Sequence, residues 1–110
     1  MVKPPPKRFD VVLAALDPTV GSEIRKTRPC VVVSPDVLNE RLQTAIVAPL
    51  TKSVRAYPSR VGTRFGGLEG QIALDQIRSI DRSRIVKRLG VLRERDRQTV
   101  VDRLLELFAW

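Results

Sequence analysis

The sequence predicts a mainly β domain, a small twisted barrel with one amphipathic helix laid against it. Three observations carry that expectation. Short β-branched and apolar runs alternate with polar or proline-bearing turns. Four glycines, Gly62, Gly66, Gly67 and Gly70, punctuate one turn-rich stretch. One segment, 93–110, then repeats its apolar residues at helical spacing.

Along the chain, residues 1–8 form a basic tail stiffened by Pro4, Pro5 and Pro6 and are expected to be flexible and outside the fold. Residues 9–110 are expected to form a single domain. The first strand is expected over 9–16, bounded by Asp17 and Pro18. A polar loop runs to Arg28, and Pro29 starts a central strand over 30–33, too short and too β-branched for a helix. Ser34 is expected to cap a helical turn with Pro35 in its first position. A third strand covers 44–50, a hairpin arm lies around 57–61, and the glycines lead into a strand over 71–74. Short strands over 77–80 and 85–89 flank a turn at Asp81. In the final helix Val100, Val101, Leu104, Leu105, Leu107 and Phe108 make one wide apolar face. Its start lacks a Ser, Thr or Asp cap, so packing must hold it.

With 110 residues, 43% apolar and 29% charged, the chain is globular and large enough for one core. No apolar run approaches the ~20 residues of a membrane span, and the N-terminus lacks the apolar core of a secretory signal. A cytoplasmic chain without a membrane partner is expected. The net charge is +8. It is uneven: residues 51–64 carry Lys52, Arg55, Arg60 and Arg64 and no acid. Such a stretch suits a polyanion, because neutralised phosphates release counterions; ordinary solubilising charge is the competing account. Aromatic residues make up only 5%, so no stacking platform for single strands is evident.

There is no histidine. Paired-imidazole ribonuclease chemistry and a serine-hydrolase triad are therefore excluded, and one cysteine with scattered acids makes no zinc site. No metal or cofactor is expected. The single Cys30 forbids an intramolecular disulfide and reads as a buried small hydrophobe. Arginine, hydroxyls and carboxylates remain. They suffice for one reaction, because RNA carries its own nucleophile in the neighbouring 2′-hydroxyl, and a fixed guanidinium can answer the charge that grows on phosphorus.

Three segments carry a resemblance. Gly21-Ser22-Glu23, four residues, then Arg28-Pro29 followed by Cys30-Val31-Val32-Val33-Ser34 is the first; Ala48-Pro49-Leu50-Thr51 and Leu74-Asp75-Gln76-Ile77-Arg78-Ser79-Ile80-Asp81 are the others. In this order they resemble the MazF/PemK (Kid-like) toxins of type II toxin–antitoxin systems, over roughly residues 8–110. The resemblance implies an SH3-like barrel of the MazF/Kid/CcdB type, a twofold homodimer, cleavage of single-stranded mRNA without metal, and an acidic MazE-like antitoxin that covers the substrate groove.

It also implies roles. Arg28 would clamp the phosphoryl group, where the alternative is a surface ion pair with Glu23 or Asp17. Thr51 would face it with a hydroxyl, unless it serves only as a turn residue. Asp75 is the third catalytic candidate; Kid-type members carry an arginine two residues before it, where this chain has Ala73, and a pair with Arg78 is the equal alternative. Glu23, Arg25, Lys26, Lys52, Ser53, Arg55 and Gln76 are the RNA-binding candidates, Glu23 more as a loop-positioning residue than as a base reader. Two other classes remain: a non-enzymatic gyrase poison like CcdB, suggested by the C-terminal Phe108-Ala109-Trp110 but better explained by helix-end packing, and a basic SH3-like module that binds nucleic acid without cutting it.

Overall fold

The computed structural model describes residues 4–16 and 27–110, with the side chain of Leu68 excepted. Seven strands and two helices follow in the order β1 (Asp10–Ala15), β2 (Thr27–Val32), α1 (Asp36–Arg41), β3 (Thr44–Thr51), β4 (Arg60–Phe65), β5 (Leu68–Ala73), β6 (Arg78–Asp81), β7 (Ile85–Val91) and α2 (Glu94–Phe108). All pairings are antiparallel. The strands run β4-β5-β3-β2-β1-β7, with β6 also on β3. The mainly β class and the final helix agree with the sequence. The expected barrel is barrel-like only, because no ladder joins β4 to β7 and the sheet stays open.

The β-branched runs exist because β1 and β2 are covered on both faces. Successive residues alternate between two cores. Val11, Val31, Ala48, Ile72, Leu74 and Val100 meet on one face, while Val12, Ala14, Cys30, Val32, Val47 and Ile80 meet on the other. Cys30 is fully buried, as expected, and burial pushes its thiol up to about 12, against a smaller lowering by Arg78.

Several sequence expectations shift. Pro29 lies inside β2 rather than at its start. Pro35 is the residue before α1, and Ser34 does not cap the helix. Its hydroxyl donates instead to Asn39 Oδ1 (2.5 Å) and accepts from the Ile46 amide (3.0 Å), tying α1 to β3. The hairpin lies at β4–β5, later than expected, and only Gly66 and Gly67 form its turn, at φ 59° and 79°. Both central residues of such a two-residue turn need positive φ, which glycine supplies without strain. Gly62 and Gly70 sit within the strands. Lys7 and Arg8, assigned to the tail, are bound to the body: the Lys7 amide donates to Asp10 Oδ2 (2.9 Å) and the Arg8 amide to Asp36 Oδ1 (2.7 Å).

Helix α2 starts without a side-chain cap, as expected. Its apolar face is only partly covered. Val100 is buried and Leu104 packs on the same core, whereas Leu105, Leu107 and Phe108 are exposed. Trp110 is fully exposed, so helix-end packing does not account for it. No helix among the described residues is long and apolar enough to cross a membrane.

One glycine is fixed by close approach. A Cβ at Gly70 would stand 2.6 Å from the Thr51 carbonyl oxygen, which is backbone and cannot swing aside. Gly70→Ala is expected to destabilise the fold by about 1–3 kcal/mol, measured as a lower denaturant midpoint with an unchanged slope; Gly62→Ala, with nothing within 4 Å of the new carbon, should cost less.

Candidate functional site

β2 and β3 pair with Cys30 opposite Pro49 and Val31 opposite Ala48. Continuing that register two residues places Arg28 opposite Thr51, on one face of the sheet. Both side chains line a cleft of about 310 Å³ with Lys52, over an apolar floor that includes Leu50 and Phe65. Glu69 and Gly70 of β5 complete one wall. Arg28 is exposed and Thr51 half-buried. The backbone beneath Arg28 is anchored, since the Cys30 thiol donates to the Arg28 carbonyl at 3.5 Å. A separate hollow of about 210 Å³, between the prolines of the N-terminus and β7, is lined by none of the candidate residues.

Thr51 Oγ1 accepts a hydrogen bond from the Ser53 amide at 3.1 Å. That bond uses an acceptor lone pair and leaves the hydroxyl hydrogen to donate. It also turns the chain out of β3, so the turn geometry weighed for Thr51 and its place in the cleft occur together. Residues 52–57 then run without strand pairing, yet they are held. The Arg55 amide donates to Gln71 Oε1 (2.9 Å), and Gln71 Nε2 donates back to the Arg55 carbonyl (3.1 Å). Arg60 Nη1 donates to the Ser53 carbonyl (3.3 Å).

Asp75 does not pair with Arg78, which instead donates to the Leu16 carbonyl at 3.1 Å. Asp75 stands in the 3-10 turn Leu74–Gln76 between β5 and β6, and its partner is Arg60. The guanidinium grips the carboxylate with two bonds, Nε to Oδ1 (2.7 Å) and Nη2 to Oδ2 (3.2 Å), and Ser59 Oγ adds a third at 3.0 Å. These bonds, the Arg60 bond foremost, hold the Asp75 carboxyl below its ordinary value, and the same contact raises Arg60. The arginine missing at Ala73 therefore has a counterpart on the neighbouring strand, because Arg60 lies directly across from Ala73 in the β4–β5 ladder.

The structure thus brings together Arg28, Thr51 and Lys52. Ser53 and Arg55 sit beside the cleft and contribute through backbone groups; the Arg55 guanidinium folds onto the Val54 carbonyl at 3.1 Å. Gln76 is half-buried at the end of the turn that carries Asp75, away from the cleft lining. Glu23, Arg25 and Lys26 lie outside the described residues. Arg60 and Gln71 were not singled out by sequence as site residues. A signal existed for Arg60: a two-residue Gly66-Gly67 turn fixes the hairpin register and so sets Arg60 against Ala73.

The family model for the PemK-like, MazF-like toxin of type II toxin–antitoxin systems matches residues 7–108. This chain belongs to that family. Endoribonuclease EndoA of Bacillus subtilis (strain 168) is 36% identical to it over 107 residues, which cover 92% of this chain and 91% of EndoA. A crystal structure of MazF from Deinococcus radiodurans superposes with a TM-score of 0.85 at 26% identity, covering 98% of this chain and 100% of that one. A crystal structure of MazE-MazF from the same organism superposes at 0.73 with 26% identity, covering 94% and 95%. In this PemK-like, MazF-like chain, Arg28 of the first segment and Thr51 of the second line one cleft, whereas no residue of the third segment is among its lining.

The Arg60–Asp75 pair has a pH signature. A carboxylate whose folded pKa lies below its unfolded value of about 3.9 contributes stability above that value and loses it as pH falls through the folded pKa. Asp75 is exposed to solvent, so Asp75→Asn is expected to cost about 0.5–1 kcal/mol at neutral pH. Denaturation midpoints taken from pH 7 downward should show the gap to the unmodified protein intact to about pH 4 and closing below it; a pH-independent gap would contradict the ion pair.

Proposed function

We propose that this chain is the toxin of a type II toxin–antitoxin pair and an endoribonuclease that cuts single-stranded RNA. The observation that carries the reading is the convergence of Arg28 and Thr51 on one cleft from adjacent strands. Membership in the toxin family and similarity to proteins named endoribonucleases support it.

In the proposed reaction the substrate's 2′-hydroxyl oxygen attacks the adjacent phosphorus, and the bond from phosphorus to the 5′-oxygen breaks. The products are a 2′,3′-cyclic phosphate and a 5′-hydroxyl, with the 2′ proton lost and a proton gained by the leaving oxygen. Arg28 presents aligned donors to the phosphoryl oxygens as their charge grows. Thr51, its lone pair already engaged by the Ser53 amide, donates its hydroxyl hydrogen to the same group. Lys52 adds cationic charge at the rim. Asp75 acts by holding Arg60 rather than by taking a proton, since a carboxylate locked as an anion is a weak base near neutrality. Arg60 in turn holds Ser53, whose amide orients Thr51.

The proposed partners are single-stranded mRNA, a second copy of the chain, and an acidic antitoxin. The exposed Leu105, Leu107 and Phe108 of α2 supply an apolar surface suited to self-association. A flexible acidic chain laid over the cationic cleft would compete with RNA, as the MazE-MazF similarity suggests. The cytoplasm, where mRNA is found, is the proposed site of action.

Two experiments test this reading. Arg28→Ala should lower RNA cleavage by about 10²–10³-fold while the far-ultraviolet spectrum and denaturation midpoint stay unchanged; near-normal turnover would remove Arg28 from the mechanism. RNA with one 2′-deoxy sugar immediately 5′ of the cut should bind but resist cleavage, and unmodified RNA should be cut in EDTA. Efficient cutting of the deoxy substrate would indicate attack by water instead.

A further inference from the structure

We propose that RNA flanking the scissile phosphate leaves the Arg28/Thr51 cleft through a second groove, in which Arg64, Arg93 and Arg95 hold its phosphodiester backbone. This rests on the endoribonuclease reading above and extends it to substrate beyond the bond that is cut.

The second groove, of about 390 Å³, shares Thr63, Glu69 and Gly70 with the first. A strand of RNA emerging on this side of the cleft passes directly into it. The glycines at Gly62 and Gly70 leave its lining low, since neither carries a side chain. Arg64 comes from β4, whereas Arg93 and Arg95 come from the start of α2, so guanidiniums from two elements line the same groove.

These elements are fixed to each other. Asp96 is buried, and its Oδ2 accepts both the Thr63 hydroxyl (2.7 Å) and Arg93 Nε. The buried Thr63–Asp96 bond spans from β4 to α2 and fixes the spacing of the cationic walls. Arg93 spends only its Nε on Asp96, leaving its terminal nitrogens as donors. The side chains of Arg64 and Arg95 are exposed and make no ion pair or hydrogen bond among the described residues. Arg93 is compensated by Asp96, and Arg64 and Arg95 outweigh Glu69, the one carboxylate in the lining, so the groove stays net cationic. Exposed planar guanidiniums at fixed spacing suit phosphate oxygens. An acidic protein segment would meet the same charges. Continuity with the cleft that binds the reacting phosphate favours RNA.

The test uses the double variant Arg64→Gln/Arg95→Gln and its charge-retaining counterpart Arg64→Lys/Arg95→Lys. Binding of an RNA extended by several nucleotides on both sides of the cut is measured against salt, in an Arg28→Ala background that prevents cleavage. Neutralising two phosphate contacts should reduce the slope of log K against log salt by about 1.4, at roughly 0.7 per contact for single strands. The lysine variant should keep the slope, because counterion release counts charge. In the active background the glutamine variant should raise KM severalfold on the extended RNA and less on an RNA trimmed to the cut site. An unchanged slope with an unchanged ratio of KM values overturns the proposal while leaving the nuclease reading intact. Poly-glutamate serves as the acidic-protein probe: loss of its binding in the glutamine variant, with the RNA slope retained, would assign the groove to an acidic partner and likewise overturn the proposal. If the unmodified protein neither binds nor cuts RNA, the endoribonuclease reading fails first, before any groove substitution is compared.

Discussion

Strand β3 is paired on both sides over much of its length. β2 bonds to one side of it, and β6 and then β5 share the other, with the turn that carries Asp75 bridging the gap between them. The last two residues of β3 cannot fray without breaking the ladder to β5. Thr51 is the last residue of β3, and the Gln71 backbone pairs with it. The hydroxyl proposed to meet the phosphoryl group therefore stands on backbone that does not have to be ordered by substrate. Preorganisation of this kind matters because a donor that must be positioned during the reaction spends part of its interaction on its own reorganisation.

Beyond Thr51 the chain leaves the sheet, and side chains replace the missing ladder. The Gln71 amide mimics a peptide group, donating to and accepting from Arg55 as a neighbouring strand would. Arg60 performs a similar task for Ser53 while its own charge is compensated by Asp75. The Arg60 side chain as a whole is 8% exposed, and the pairing gives its charge a partner. The cost of burying Arg60 and the support of the segment above the cleft are thus settled by one carboxylate.

Much of this was legible in the sequence. Apolar and β-branched runs placed β1, β2 and β3, and apolar residues at helical spacing placed α2, close to where they occur, because local pattern and tertiary burial agree there. Arg28 and Thr51 stood out in their motifs, and the fold sets both in the lining of one cleft. Other features depend on contacts distant in sequence. Ser34 looked like a cap, but bonds to Asn39 and Ile46 won its hydroxyl. Asp75 looked as though it could pair with Arg78, three residues away, but a partner fifteen residues away was nearer in space. The four acid-free cations of residues 51–64 looked alike, yet Arg60 is an internal strut while Arg64 faces a groove. The exposed end of α2 differs from its sequence pattern because spacing defines an apolar face without saying what will cover it.

The burial of Cys30 has a consequence of a different kind. Its thiol lies under both neighbours in the sheet, with no exposure and a pKa pushed to about 12, so the reactive thiolate is scarce and inaccessible in the native state. Alkylating or oxidising reagents reach it only when β1, β2 and β3 separate. The rate at which this single sulfur is modified is therefore set by how often the central sheet opens, and the protein carries an internal clock for its own cooperative unfolding.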